Sequence, residues 1–274
     1  MEKNSNITEV VLNNLRKEFK WLIKTEVRKV FSQLKEIFEA AARRYPVTVW
    51  ENESQVRQEK YIMATSTQTS QDNLKCILTI TGDSITNADM TLKLHRHPNV
   101  VYHTTIGPDN PWRLQQIQDS ANFVRTALSL LNDIPEEAEF ATAEEVLMEL
   151  DAVIEKANRA RNILSLPRKR TIDELMNSKN MRTLNPQLPG DLAVSFYVQA
   201  HKLVFAVYHL TQTGGAIKFE VLQSESPVTW LNEVLVLLSV ALHRSQILRD
   251  KVNKRDFIFT RKISLKVRNR IIRK

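Results

Sequence analysis

His95 and His97 flank Arg96, and residues two apart on an extended chain face the same side. That pair is the nearest approach to metal-ligand spacing in the sequence. A tetrahedral zinc ion needs at least a third donor, and the fold would have to bring Cys76 or His103 to it. Pro98-Asn99 follow at once and read as a solvated turn, so no metal ligand is assigned. His201 and His209 are eight apart in a run with helical spacing, which would put them on similar faces two turns apart. Surface or boundary histidines account for them.

Other reactive groups point equally to structure. The carboxylate pairs Glu136-Glu137, Glu144-Glu145 and Asp173-Glu174 fall at or just before predicted helix starts, where negative charge is favoured by the helix dipole. The five glycines, Gly82, Gly107, Gly190, Gly214 and Gly215, make no phosphate-cradling or dinucleotide-binding arrangement, and there is no nucleophile-elbow sequence. Cys76 lies inside an apolar strand-like run, as a small buried side chain would. No catalytic residue and no cofactor is assigned, and the chain is expected not to be an enzyme.

The formal charge of +8 is unevenly placed. Residues 251–274 hold ten Lys and Arg against Asp256, a net +9, which leaves −1 for residues 1–250. Lys262–Ile271 alternates basic and apolar residues with a period of two. Arg261, Lys262, Lys266, Arg268 and Arg270 are the candidate electrostatic tail for anionic lipid or nucleic acid. Apart from Phe257 and Phe259 it lacks stacking aromatics, which disfavours nucleic acid. Pro167-Arg168-Lys169-Arg170 is a small basic cluster of the nuclear-localisation type. The polar opening Glu2-Lys3 has no apolar run behind it, and the longest aliphatic stretch, Val234–Leu242, is short for a bilayer span. One cysteine excludes an internal disulfide. These features fit a soluble cytosolic protein.

The elements that must position these residues are mostly helical. Ile23, Val27, Val30, Leu34, Ile37 and Ala41 alternate steps of four and three, and no Pro or Gly precedes Pro46. This predicts a helix over 8–44, on the order of 55 Å long. A second stripe, Leu114 to Leu131, follows Asp109-Asn110-Pro111, read as an N-cap and first-turn proline. The third, Val146 to Leu164, begins at a Thr142/Glu145 capping box. A fourth, Ala193 to Leu210, is capped by Asp191 and ends at Gly214-Gly215; the fifth, Leu231 to Val252, starts after Ser226-Pro227. Short β-rich runs over 47–51, 60–67, 74–81, 90–94 and 100–106 predict an antiparallel meander, and 216–222 one further strand.

The expected fold class is therefore α+β, an antiparallel bundle of long helices with an inserted antiparallel β-meander lobe. Residues 1–46, 109–166 and 226–252 would form the bundle. Residues 47–108 and 186–225 would form the β-lobe with one helix, and 253–274 the basic tail. The stripes are expected to pack against one another within the chain. The first helix outruns its partners, which makes Ile23, Val27, Val30, Leu34 and Ile37 the candidate partner-facing stripe.

Several segments resemble the Rogdi leucine zipper family: Glu18–Ala41, Trp112–Leu131, Leu147–Leu164, Pro186–Leu203 and Trp230–Leu242, in that order along the chain. Rogdi proteins are similar to the second subunit of the yeast RAVE complex. The resemblance implies a non-catalytic adaptor of a RAVE or rabconnectin-3-type assembly, with large WD-repeat subunits as partners. Such an assembly promotes reunion of the vacuolar-type proton ATPase (V-ATPase) sectors. It also implies cytoplasm, nucleus and, in animals, synaptic vesicles and neuronal function, with peripheral membrane association. Two departures stand out: Thr211–Ser226 is shorter than the family region, and the chain beyond Val252 does not resemble the usual ending.

Overall fold

The computed structural model describes residues 13–14, 17–18, 20–46, 57–65, 72–95, 97, 99–135, 140–168, 170–213 and 216–271. A π-helical turn, Leu22–Val27, leads into α1 (Arg28–Ala42). Four strands follow, β1 (Gln58–Ala64), β2 (Asn73–Thr81), β3 (Ser84–Lys93) and β4 (Val101–Ile106), then a two-residue strand β5 (Trp112–Arg113). Helices α2 (Gln115–Asp133) and α3 (Ala143–Ser165) come next, then two short ones, α4 (Ile172–Met176) and α5 (Lys179–Arg182). The chain ends with β6 (Leu192–Gln199), β7 (Lys202–Thr213), β8 (Ala216–Pro227) and the long α6 (Thr229–Ile271).

The fold is α+β, but it is not the expected bundle of long helices carrying one meander. The described residues form two antiparallel sheets, β1-β2-β3-β4 with β5 beside β3, and β6-β7-β8. The decisive correction is residues 193–210, read as a fourth helix and found as the β6–β7 hairpin. Its sequence is almost continuously apolar on both sides of Gln199-Ala200-His201-Lys202, and such a run satisfies a period of 3.6 as readily as a period of two. Burial explains the run: Leu192–Phe196 and Leu203–Val207 are buried at every position, so the strands are covered on both faces.

The chain divides into two units. The first comprises residues 1–40, 123–158 and 237–274. Its helical segments bury their apolar stripes, among them Val27 of the π-helical turn, Leu34 of α1, Val124 and Leu128 of α2, Leu150 and Val153 of α3, and Leu238 and Leu248 of α6. Ion pairs join Lys251 to Glu26 at 2.5 Å, Arg249 to Asp151 at 3.0 Å, and Arg255 to Glu18. Thr142 Oγ1 accepts from the Glu145 N–H, as the capping box requires, while the Glu145 carboxylate reaches the Ala141 N–H.

The second unit comprises residues 41–122 and 159–236 and holds both sheets. Strand β2 alternates exposed and buried residues and turns Leu74, Cys76, Leu78 and Ile80 inward. Gly82, at φ 66°, makes the two-residue turn to β3, where a bulge follows the Thr79–Asn87 pair. Asp109-Asn110-Pro111 lies in the turn before β5, not at the start of α2. Strands β7 and β8 pair over their full length, from Lys202 opposite Pro227 to Thr213 opposite Ala216. The predicted strand over 47–51 lies outside the described residues.

The last expectation to change concerns the end of the chain. Helix α6 continues through Ile271, so residues predicted as a separate tail share its helical backbone. Thr229–Arg255 of α6 is long and apolar enough to cross a membrane by length and composition. Its Leu231, Val234, Leu238, Ala241, Leu248 and Val252 form a buried stripe, while Val236, Val240 and Ile247 on the same helix are exposed.

Candidate functional site

The partner-facing stripe proposed for the first helix is mostly core. Ile23, Val27, Val30 and Leu34 are buried and Ile37 is half-buried, so their apolar surface is already used within the chain. Apolar side chains that do remain exposed in that unit include Val240 and Ile247 on α6, seven residues apart, and Met148 on α3. Arg261, Lys262, Lys266, Arg268 and Arg270 fall on the helical backbone of α6, which replaces the period-two extended reading of that segment.

The second unit separates the two histidines that sequence placed together. His95 turns to Asp72, whose buried carboxylate accepts from the His95 backbone N–H at 2.6 Å and lies 3.0 Å from Nδ1. His103 pairs with Asp89 at 3.0 Å on the exposed face of the first sheet. Cys76 is fully buried, and burial, followed by the charge of Asp89, pushes its thiol pKa up. None of these three joins His97.

His97 instead meets two residues from distant sequence. It sits in the turn between β3 and β4, held by its N–H to the Leu94 carbonyl and by its own carbonyl to the Val100 N–H. Asp191, just before β6, accepts the Leu210 N–H on its backbone carbonyl at 2.8 Å. That bond fixes it beside His209, which pairs with Leu192 in the ladder. The Asp191 Oδ2 lies 3.5 Å from His209 Nε2 and 4.0 Å from His97 Nε2. The imidazoles meet edge to face, 5.3 Å apart at 88°. On its other side His97 Nδ1 is 2.5 Å from the Tyr102 hydroxyl. His209 is buried, whereas His97 and Asp191 are partly open to solvent. Sequence reading missed this group because it placed His209 on a helix and gave Asp191 only a capping role.

A cleft of about 620 Å³ opens elsewhere in the same unit, beside the β6 edge. Arginines 113, 168 and 170 and the rings of Tyr197 and Tyr208 line it, and burial raises both phenol pKa values. Gln116 of α2 forms part of its wall and completes the edge of β6. Its amide oxygen accepts the Val198 N–H, and its amide nitrogen donates to the carbonyls of Val198 and Ile163, all at 2.8 Å. Arg168 and Arg113 are each engaged by a carboxylate, Glu174 and Asp83, both at 3.2 Å. The cleft therefore combines cationic and aromatic character with a polar Gln116 wall whose amide is already satisfied by backbone groups.

Comparison with known proteins agrees with the resemblance in sequence. Residues 18–262 match the family model described as Rogdi leucine zipper containing protein. The match extends ten residues past Val252, into the segment that looked unlike the family. Protein rogdi of Drosophila melanogaster is 43% identical over 240 residues, 88% of this chain and 88% of its own length. Protein rogdi homolog of Danio rerio is 36% identical over 266 residues, covering 87% of this chain and 92% of the relative. The Homo sapiens homolog is 34% identical over 266 residues, covering 87% and 91%. Identity at this level, sustained through both units, places the chain in the Rogdi leucine zipper family.

Proposed function

We propose that this chain is a non-catalytic accessory subunit of a RAVE or rabconnectin-3-type assembly that promotes joining of the V-ATPase sectors. Family membership over nearly the whole chain carries the reading. Rogdi proteins resemble the second subunit of that complex, and a match spanning both units implies shared surfaces as well as shared fold. Cys76, the single cysteine, is buried with its thiol pKa raised by that burial, which is the environment of a structural cysteine. The large WD-repeat subunits would be the direct partners, in the cytoplasm and at vesicle membranes, with a nuclear pool.

Affinity capture from cell extract tests this, using the whole chain and a variant with Arg261, Lys262, Lys266, Arg268 and Arg270 changed to glutamine. The expected result is recovery of WD-repeat RAVE or rabconnectin subunits, identified by mass spectrometry, with both proteins. Failure of both, with nucleic acid or anionic vesicles retained by the unmodified chain alone, would replace the reading by one of electrostatic binding through the end of α6.

A further inference from the structure

We propose that His97, Asp191 and His209 form a binding site for a zinc-class transition-metal ion. One donor atom from each lies within 4.8 Å of the other two. Zinc bonds of about 2.0–2.2 Å in a tetrahedron place neighbouring donors roughly 3.3–3.5 Å apart. The His209–Asp191 separation of 3.5 Å already meets that spacing, and the His97–Asp191 separation of 4.0 Å exceeds it by a side-chain adjustment. Both are longer than the 2.7–3.2 Å of a direct N–H···O bond. The donors thus face one another without closing on one another.

The surroundings favour a metal over a simple ion pair. A ligating imidazole usually fixes its free nitrogen on a second group, which sets the tautomer. Tyr102 is placed to do this for His97: metal binding through Nε2 requires the tautomer with Nδ1 protonated, and that N–H can donate to the phenol oxygen 2.5 Å away. Two imidazoles and one carboxylate suit zinc, nickel or copper, whereas magnesium and calcium take oxygen ligands. His209 lies on β7, Asp191 just before β6 is held by the Leu210 N–H, and His97 is held in its turn, so the donors are positioned by backbone that is itself hydrogen-bonded. The partly open sides of Asp191 and His97 leave room for water as the fourth ligand. A bound ion would tie the β3–β4 turn to the start of the β6–β7 hairpin within the second unit.

The test uses the full chain stripped with chelator, titrated with zinc by calorimetry and with cobalt by visible absorption. The expected results are one tight site per chain, tetrahedral cobalt bands, and a higher melting temperature with zinc but not with magnesium. His97→Gln, Asp191→Asn and His209→Gln should each abolish the cobalt bands. Tyr102→Phe should weaken binding by about 10- to 100-fold, as loss of an outer-shell partner does. His243→Gln, on α6, should bind as the unmodified chain does. His97 is in a solvent-accessible turn, so its variant tests the site even if replacing buried His209 impairs folding. Zinc affinity and cobalt spectra unchanged by His97→Gln and Asp191→Asn, or no stoichiometric binding, would overturn the proposal.

Discussion

Replacing Gln116 should detach the edge of the second sheet. Strand β6 pairs with β7 on one side, and on the other the Gln116 amide takes both the N–H and the carbonyl of Val198, as a neighbouring strand would. A third bond reaches Ile163 at the end of α3. At about 1 kcal/mol net per bond, with a larger charge for a donor left unpaired, Gln116→Leu should cost about 2–4 kcal/mol. Urea denaturation followed by circular dichroism measures the loss, and hydrogen exchange in the 192–199 peptide should accelerate. Gln116→Glu is the sharper probe, because its carboxylate keeps the acceptor for Val198 but sets a negative oxygen against two carbonyls. Its folded-state pKa must rise above the unfolded value of about 4.3. The folded state then binds more protons, so this variant should gain stability relative to the unmodified chain as pH falls through the folded pKa toward that value. A Leu variant within about 0.5 kcal/mol of the unmodified protein, the ordinary range for surface changes, would refute the reasoning. So would a Glu variant that follows the unmodified protein's pH profile.

Two further substitutions separate core from surface and strain from its absence. Leu34 is fully buried, so Leu34→Ala should lower stability by about 3–5 kcal/mol in the same denaturation assay, whereas a free partner-facing residue would change it little. Ala200 adopts φ 55° in the two-residue β6–β7 turn, the place Gly82 fills with φ 66° between β2 and β3. Left-handed backbone costs an L-residue about 1–2 kcal/mol, and glycine loses about 0.5–1 of that back to chain entropy. Ala200→Gly should therefore raise stability by about 0.5–1 kcal/mol, read as a higher denaturation midpoint at constant slope.

Much of the local structure was legible because local chemistry decides it. The stripes of α1, α2, α3 and α6 carry 3.6-residue spacing with one polar face, and burial follows those stripes closely. The Gly82-Asp83 turn, the strands β2 and β4 and the capping of α3 by Thr142 likewise depend on neighbours within a few residues. The resemblance to the Rogdi family was also visible in the order of segments along the chain.

Where burial is two-sided, that logic fails. Leu192–Leu210 carries apolar residues on every face, so period alone cannot choose helix or hairpin, and the choice comes from packing in the second unit. The same misreading hid the His97–Asp191–His209 group, whose members lie 18 to 112 residues apart and meet only once β7 places His209 beside Asp191. A periodic apolar face also looks the same in sequence whether its cover lies in this chain or another, so the burial of Ile23, Val27, Val30 and Leu34 within the chain comes from the structure alone. Composition and spacing determined which residues want burial and what local shape they adopt. Only the tertiary structure decided what covers them and which polar groups converge, because those outcomes depend on contacts between segments far apart in sequence.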